Sequence, residues 1–270
     1  MFMTPGFLED LVALTMKSNS ARLGRASLEL LSAACVDKTC REAISDKCSA
    51  WLQQVMQEKT RYESEAGDNL NTAMVALVLC KIQIVAKKDG KGIDIVEIAS
   101  TLQSLMQDDN NVTVQTAVEA LAYASIQGRV KEVLTADVAF LSTLTALLKD
   151  PSEKGLRFGV LTIIFNLTEF LPAATAEQAK IDQLKAYANQ SKPEAVDALN
   201  DDKHVEARCR KVIDAGVVQV MVDSVKGAST TLLKIISAIS LSLTKTPKNC
   251  GILVQQGESH AQHDGLFSTH

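Results

Sequence analysis

Three of the four histidines in this 270-residue chain, His260, His263 and His270, crowd into the segment ESHAQHDGLFSTH (258–270). His260 and His263 stand at HxxH spacing, which can bring two imidazoles to one metal ion. A metal site needs three or four ligands held by structure. This segment offers only polar residues around a glycine, so a disordered or non-native tail is the expectation and no metal site is assigned. The fourth histidine, His204, sits in DDKHVEARCRK (201–211). There Asp201 and Asp202 come first and Arg208, Arg210 and Lys211 follow, an order that complements a helix dipole. That order is read as a structural device, with His204 on a solvated face. The six cysteines, Cys35, Cys40, Cys48, Cys80, Cys209 and Cys250, form no CxxC pair. They are expected to act as small buried hydrophobes in a reducing cytosol. Cys40 and Cys48 have no histidine in their region to serve as a base. None of GxSxG, HExxH, GxxxxGK[ST] or GxGxxG occurs. The expectation is a non-enzyme without a cofactor.

The bulk composition narrows the classes further. Apolar residues make up 46% of the chain but aromatics only 4%, with 13 Gly and 5 Pro. Few turn formers and many small aliphatics suit stacked helices better than a sheet-rich enzyme. The net charge of −4 comes from interspersed charges of both signs, without a basic stripe for phosphate backbones, so no nucleic-acid role is expected. The longest apolar runs, AMVALVLC (73–80) and IISAISLSL (235–243), are too short for a bilayer span. MFMTPGFLED is not a secretory leader. The sequons beginning at Asn111, Asn166 and Asn189 therefore carry no glycosylation reading, and the chain is expected in the cytoplasm, away from membranes.

Helical periodicity runs along almost the whole chain. Val114, Ala117, Val118, Leu121 and Ser125 share one helix face, as do Leu232, Ile236, Ile239 and Leu243, and Leu161, Ile164, Thr168 and Leu171. The breaks are short: KKDGKG (87–92), QDDNN (107–111), KDPSEKG (149–155) and VKGAS (225–229), each with a possible N-cap or a stopping glycine. The fold class is all-α.

KVIDAGVVQVMVDS (211–224) has an echo at ILVQQG (252–257). Aligning Gly216 with Gly257 gives 257 − 216 = 41 residues. Fainter echoes lie at KEVLTAD (131–137) and REAISDK (41–47), with Ile44, Leu134, Ile213 and Val254 as anchors. FNLT (165–168), AYAS (122–125) and LSLT (241–244) hold matching places late in long helices. A short helix, a turn at Gly, a second helix and a long apolar helix within about forty residues describe an armadillo-type repeat. The expected architecture is one armadillo/HEAT-like right-handed α-solenoid over 1–257, followed by the tail 258–270. Repeats are placed near 6–47, 48–92, 93–134, 135–214 with an inserted helix at 175–189, and 215–257. The last long helix, 229–244, is apolar on most sides, so that end of the array should be sticky or frayed if nothing stacks on it.

LAYASIQGRVKEVL (121–134), FGVLTIIFNLTEFLP (158–172), QLKAYAN (183–189) and DDKHVEARCRKVIDAGVVQVMV (201–222) resemble the UCS-domain family of myosin-directed chaperones, in its fungal flavour. The likeness spans roughly 7–257. It implies a cytosolic armadillo solenoid that binds the myosin motor domain and helps it fold or stay folded, without cofactor or covalent chemistry. Heat-shock chaperones are further partners of some members. Family chains are longer, with more repeats after the position matching Gly257, and the most strongly implicated groove lies there. The resemblance therefore implies a fragment or truncated member.

In armadillo proteins that grip extended peptides, a late Asn on the third helix of each repeat lines the groove. Asn166 matches that place, with Tyr123 and Ser242 as its equivalents. These three are the candidate partner-binding residues, set against the alternative of satisfied polar groups at repeat interfaces. One Asn is no ladder, which argues against an import-receptor-like grip on basic peptides. A generic armadillo scaffold for another partner's peptide is the alternative function, and a helical enzyme or regulatory subunit is a third.

Overall fold

The structure is a computed structural model that describes residues 2, 4–18, 20–61, 67–83, 94–149, 154–171, 197–225 and 227–254. The expected inserted helix 175–189, the LKAYAN motif, the loop 87–92 and the histidine-bearing tail lie outside the described residues. Within them every regular element is helical. In chain order these are α1 (Phe7–Lys17), α2 (Ala21–Ala34), α3 (Lys38–Arg61), α4 (Gly67–Gln83), α5 (Ile95–Leu105), α6 (Asn111–Ala124), α7 (Gly128–Ala136), α8 (Val138–Lys149) and α9 (Lys154–Thr168). A 3-10 turn (Ala198–Asn200) precedes α10 (Asp202–Asp214), α11 (Val217–Val225) and α12 (Thr230–Thr244), and residues 247–254 are again helical. Among the described residues no helix is long and apolar enough to cross a membrane.

Helix starts follow the local chemistry closely. Ser20, Asp94, Asn110, Asp201 and Ser229 each occupy an N-cap, with the side-chain oxygen accepting a backbone N–H of the first turn. Each such bond satisfies a donor that the helix itself leaves open. Asn110 lies in the expected break 107–111, and Ser229 in the break 225–229. The segment KVIDAGVVQVMVDS (211–224) is a helix–turn–helix joint: α10 stops, Gly216 turns at φ 77° and α11 begins. A side chain at that φ would be strained, so glycine is the residue for the turn.

The helices sort into two compact units. The first comprises Met1–Val130 and Asp150–Ile163, the second Lys131–Lys149 and Ile164–His270. In the first unit α4 is central, packing most extensively on α6 and also on α2, α3 and α5. Its stretch Ala73–Cys80 is buried on every side, as expected of a helix apolar all round. There α6 approaches α9 closely at Gly159, where a Cβ would stand 2.7 Å from Val118 Cγ1. In the second unit α8 packs on α11, and α10 meets α11 and α12.

The core matches most of the periodic positions. Val114, Ala117, Val118, Leu121 and Ser125 are buried, as are Ile236, Ile239 and Leu243. Leu171 departs from the pattern. It lies beyond the end of α9 at Thr168, and it is 44% exposed. Of the four repeat anchors, Ile44, Leu134 and Ile213 are fully buried, whereas Val254 is 57% exposed. On α12, Ile236, Ile239 and Leu243 are buried while Leu233 and Leu241 are exposed, so apolar residues stand on the solvent side of the helix as well as on its packed side.

Candidate functional site

Tyr123 is the candidate with the most organised surroundings. It sits near the end of α6, half-buried, above the Lys81 ammonium, whose nitrogen is 5.3 Å from the ring centroid. Lys81 belongs to α4 and is only 8% exposed. Its Nζ donates to Ser32 Oγ of α2 at 3.0 Å and lies 2.8 Å from Glu119 Oε1 of α6. A buried ammonium needs such partners. Here it ties three helices together and fixes the ring by a cation–π contact. Glu119 stands one turn before Tyr123, and its side chain is 52% exposed. The patch thus offers an outward carboxylate beside a pinned phenol ring, able to accept N–H groups and cover an apolar side chain. The sequence carried the signal for Glu119 in its i, i+4 spacing from Tyr123. It held none for Lys81, which comes from a distant helix.

The other two candidates lie in the second unit. Asn166, on the last turn of α9, is 9% exposed and is already engaged in interactions within the protein. Ser242, near the end of α12, is half-buried and its carbonyl accepts the Lys245 N–H at 3.3 Å. Lys245 in turn places its ammonium 4.4 Å from the centroid of the Phe170 ring.

Arg208 adds what the sequence reading missed. The sequence reading gave it only a place in the charge order of a helix, whereas its side chain has no solvent exposure. Val205, Arg208, Cys209 and Val212 follow i, i+3, i+4, i+7, and all four are fully buried. That spacing was the available signal. Its Nε donates to the Leu167 carbonyl at 2.9 Å, and Nη1 to the Leu199 carbonyl and Glu132 Oε1, both at 2.6 Å. The guanidinium therefore joins α7, the end of α9, the 3-10 turn and α10. Nearby Lys131 is 6% exposed. Burial first, then the positive charge of Arg208, holds its pKa below the usual lysine value, against the opposing pull of Glu169 and Asp197.

The remaining sequence candidates offer no reactive centre in the described residues. His204 is half-buried, and its Nδ1 lies 2.7 Å from the capping carboxylate of Asp201. Cys35, Cys48, Cys80 and Cys209 are buried. Burial pushes the thiols of Cys80 and Cys209 up to about 12, and those of Cys35 and Cys48 up to about 11. Such thiols are protonated and unreactive at neutral pH. Among the described residues no group of three His, Cys, Asp or Glu side chains could hold a metal ion; His260, His263 and His270 lie outside them.

Comparison with known proteins gives this architecture its relatives. Residues 1–102 match the family model described as UNC45-central, myosin-binding striated muscle assembly central. Ring assembly protein 3 of Schizosaccharomyces pombe is 25% identical over 227 residues, covering 83% of this chain and 27% of that protein. Protein unc-45 homolog B of Homo sapiens is 28% identical over 150 residues, covering 54% of this chain and 16% of that protein. The chain thus spans under a third of the length of these relatives. The crystal structure of She4p superposes with a TM-score of 0.67 at 19% identity, over 95% of this chain and 31% of that one. A designed armadillo repeat protein in complex with the peptide (KR)4 gives 0.60 at 15% identity, over 98% and 93% of the two chains. These structural likenesses show the fold, an armadillo-type α-solenoid. The family match over residues 1–102 and the aligned relatives show a sequence likeness to the UNC-45 and ring assembly proteins beside that shared fold.

Proposed function

We propose that the chain is a non-enzymatic protein-binding module of a myosin-directed chaperone or co-chaperone, which supports the folding or stability of the myosin motor domain. The observation that carries this reading is the match of residues 1–102 to a family model whose description is myosin-binding. An armadillo surface suits the task because many weak contacts along stacked helices can hold a partly folded client without a deep pocket. Tyr123, Asn166 and Ser242 are the proposed contact residues, with Glu119 added beside Tyr123. The division into repeats near 6–47, 48–92, 93–134, 135–214 and 215–257 belongs to the same proposal. Two contacts at nearly the repeat distance support it, Asn69 to Asp108 (39 residues apart) and Gln83 to Gln127 (44 apart). The proposed setting is the cytoplasm, with heat-shock chaperones as co-workers.

The test is co-precipitation of the purified chain with a myosin motor domain, beside an unrelated aggregation-prone protein. Selective capture of the motor, weakened by Tyr123→Ala or Glu119→Ala with helicity intact, is the expected result. Equal capture of both clients, or of neither, would overturn the reading. The alternative is a generic armadillo scaffold for an extended peptide, favoured by the likeness to a designed protein solved with (KR)4. Binding of that basic peptide without capture of the motor would favour the scaffold.

A further inference from the structure

The chain carries more acidic than basic side chains, yet residues 224–257 hold four lysines and no Asp, Glu or Arg. α12 runs through the middle of that stretch. Ile236, Ile239 and Leu243 form its buried stripe. Lys234, Ala238, Leu241 and Lys245 follow i, i+4, i+7, i+11 and so share the opposite face. Lys245 is the C-cap and keeps the αR conformation, so it continues the helical register. Lys234, Leu241 and Lys245 are exposed, Leu241 by 68%, and Ala238 is half-buried. Neither ammonium has an ion pair among the described residues. Lys234 has no partner there, and Lys245 rests only against the Phe170 ring. The face is thus an exposed leucine between two uncommitted cations about 16 Å apart along the helix axis.

We propose that this face of α12 docks an acidic amphipathic helix of a partner protein. Its carboxylates, at i and i+11, would meet Lys234 and Lys245, and its aliphatic side chains would lie between them over Ala238 and Leu241. Charge complementarity selects the sign of the partner, because no acidic residue in 224–257 competes for the two ammoniums. The spacing selects a helix. Eleven residues make three turns, so two carboxylates that far apart on a helix also face one side. An extended strand covers the same length in about five residues, which puts its two ends on opposite faces. The small Ala238 lets a second helix come close, and Leu241 gives it apolar surface to cover. A phosphate backbone fits less well: two ammoniums neutralise few phosphates, and the leucine between them gains nothing from the contact. The inference rests on the protein-binding reading above and adds to it the chemistry of the partner beside Ser242.

The probe is a fluorescein-labelled helical peptide of sixteen residues, built on alanine and glutamine, with Glu at positions 3 and 14 and Leu at positions 7 and 10. Anisotropy titration with the purified full-length chain should saturate at low salt. The same peptide with Lys at positions 3 and 14 should bind about tenfold more weakly, since each pair changes from attraction to repulsion. Lys234→Glu combined with Lys245→Glu should invert that preference, and raising the salt should shrink it. Leu241→Ser should weaken both peptides about fivefold. All three positions are exposed, so circular dichroism should not change. Equal binding of the two peptides, a preference that survives in the double variant, or no saturable binding at low salt would overturn the proposal. Tighter binding of phosphatidylserine vesicles or of poly(U), lost in the double variant, would overturn the helix as occupant. Capture of a myosin motor without binding of the Glu peptide would overturn this inference alone. Binding of that peptide without capture of the motor would overturn the chaperone reading alone.

Discussion

Replacing Arg208 by Ala removes a guanidinium that holds four segments of the second unit at once. The cost is set by what each abandoned partner can do next. The Leu167 carbonyl belongs to a fully buried residue. It cannot reach water, so its loss counts in full, at roughly 1–3 kcal/mol. Glu132 keeps 31% side-chain exposure, and Leu199 is only half-buried. Both can rehydrate, and their shares are correspondingly small. The void left by the arginine stem adds the cost of a core truncation. The expected total is about 3–5 kcal/mol, the range found when one partner of a buried pair is removed. Urea unfolding gives the total, and hydrogen exchange locates it: protection should fall across 167–171 and 197–214 while α2 to α5 change little. Arg208→Met combined with Glu132→Gln should be milder than Arg208→Ala, because an apolar stem fills the space and no lone carboxylate remains. A loss below about 1 kcal/mol for Arg208→Ala, or one spread evenly over both units, would refute this account.

Gly159→Ala should destabilise by about 1–2 kcal/mol despite better helix propensity, since its Cβ would overlap the stiff Val118 side chain, and Val118→Ala should restore most of the loss; additive denaturation midpoints would show that the contact is not the cause. Lys131 has a folded pKa below its unfolded value, so the folded chain releases this proton first and stability should rise with pH through that folded pKa toward about 10.5. Lys131→Met should flatten that rise in alkaline urea titrations. The Asp201 carboxyl is held low by the His204 backbone N–H first and its imidazole second. Its capping contribution should therefore be complete above about 3.8 and fade as pH falls through the still lower folded value, seen as faster amide exchange at the start of α10.

The sequence by itself determined the helices, most of their faces and their joints. Periodicity of 3.6, capping residues and a left-handed glycine act over a few residues, so Asn110, Ser229 and Gly216 could be read where they stand. It also pointed to Tyr123, because a matching place in successive helices is a local pattern repeated. It could not reveal that Lys81, 42 residues earlier, lies under that ring. Arg208 shows where the division falls. Its spacing with Val205, Cys209 and Val212 placed it on a buried stripe, but only the carbonyls of Leu167 and Leu199 and the carboxylate of Glu132 make a buried charge tolerable. Those partners come from three other segments. A side chain's fate inside a protein depends on what is brought against it, and that is settled by packing.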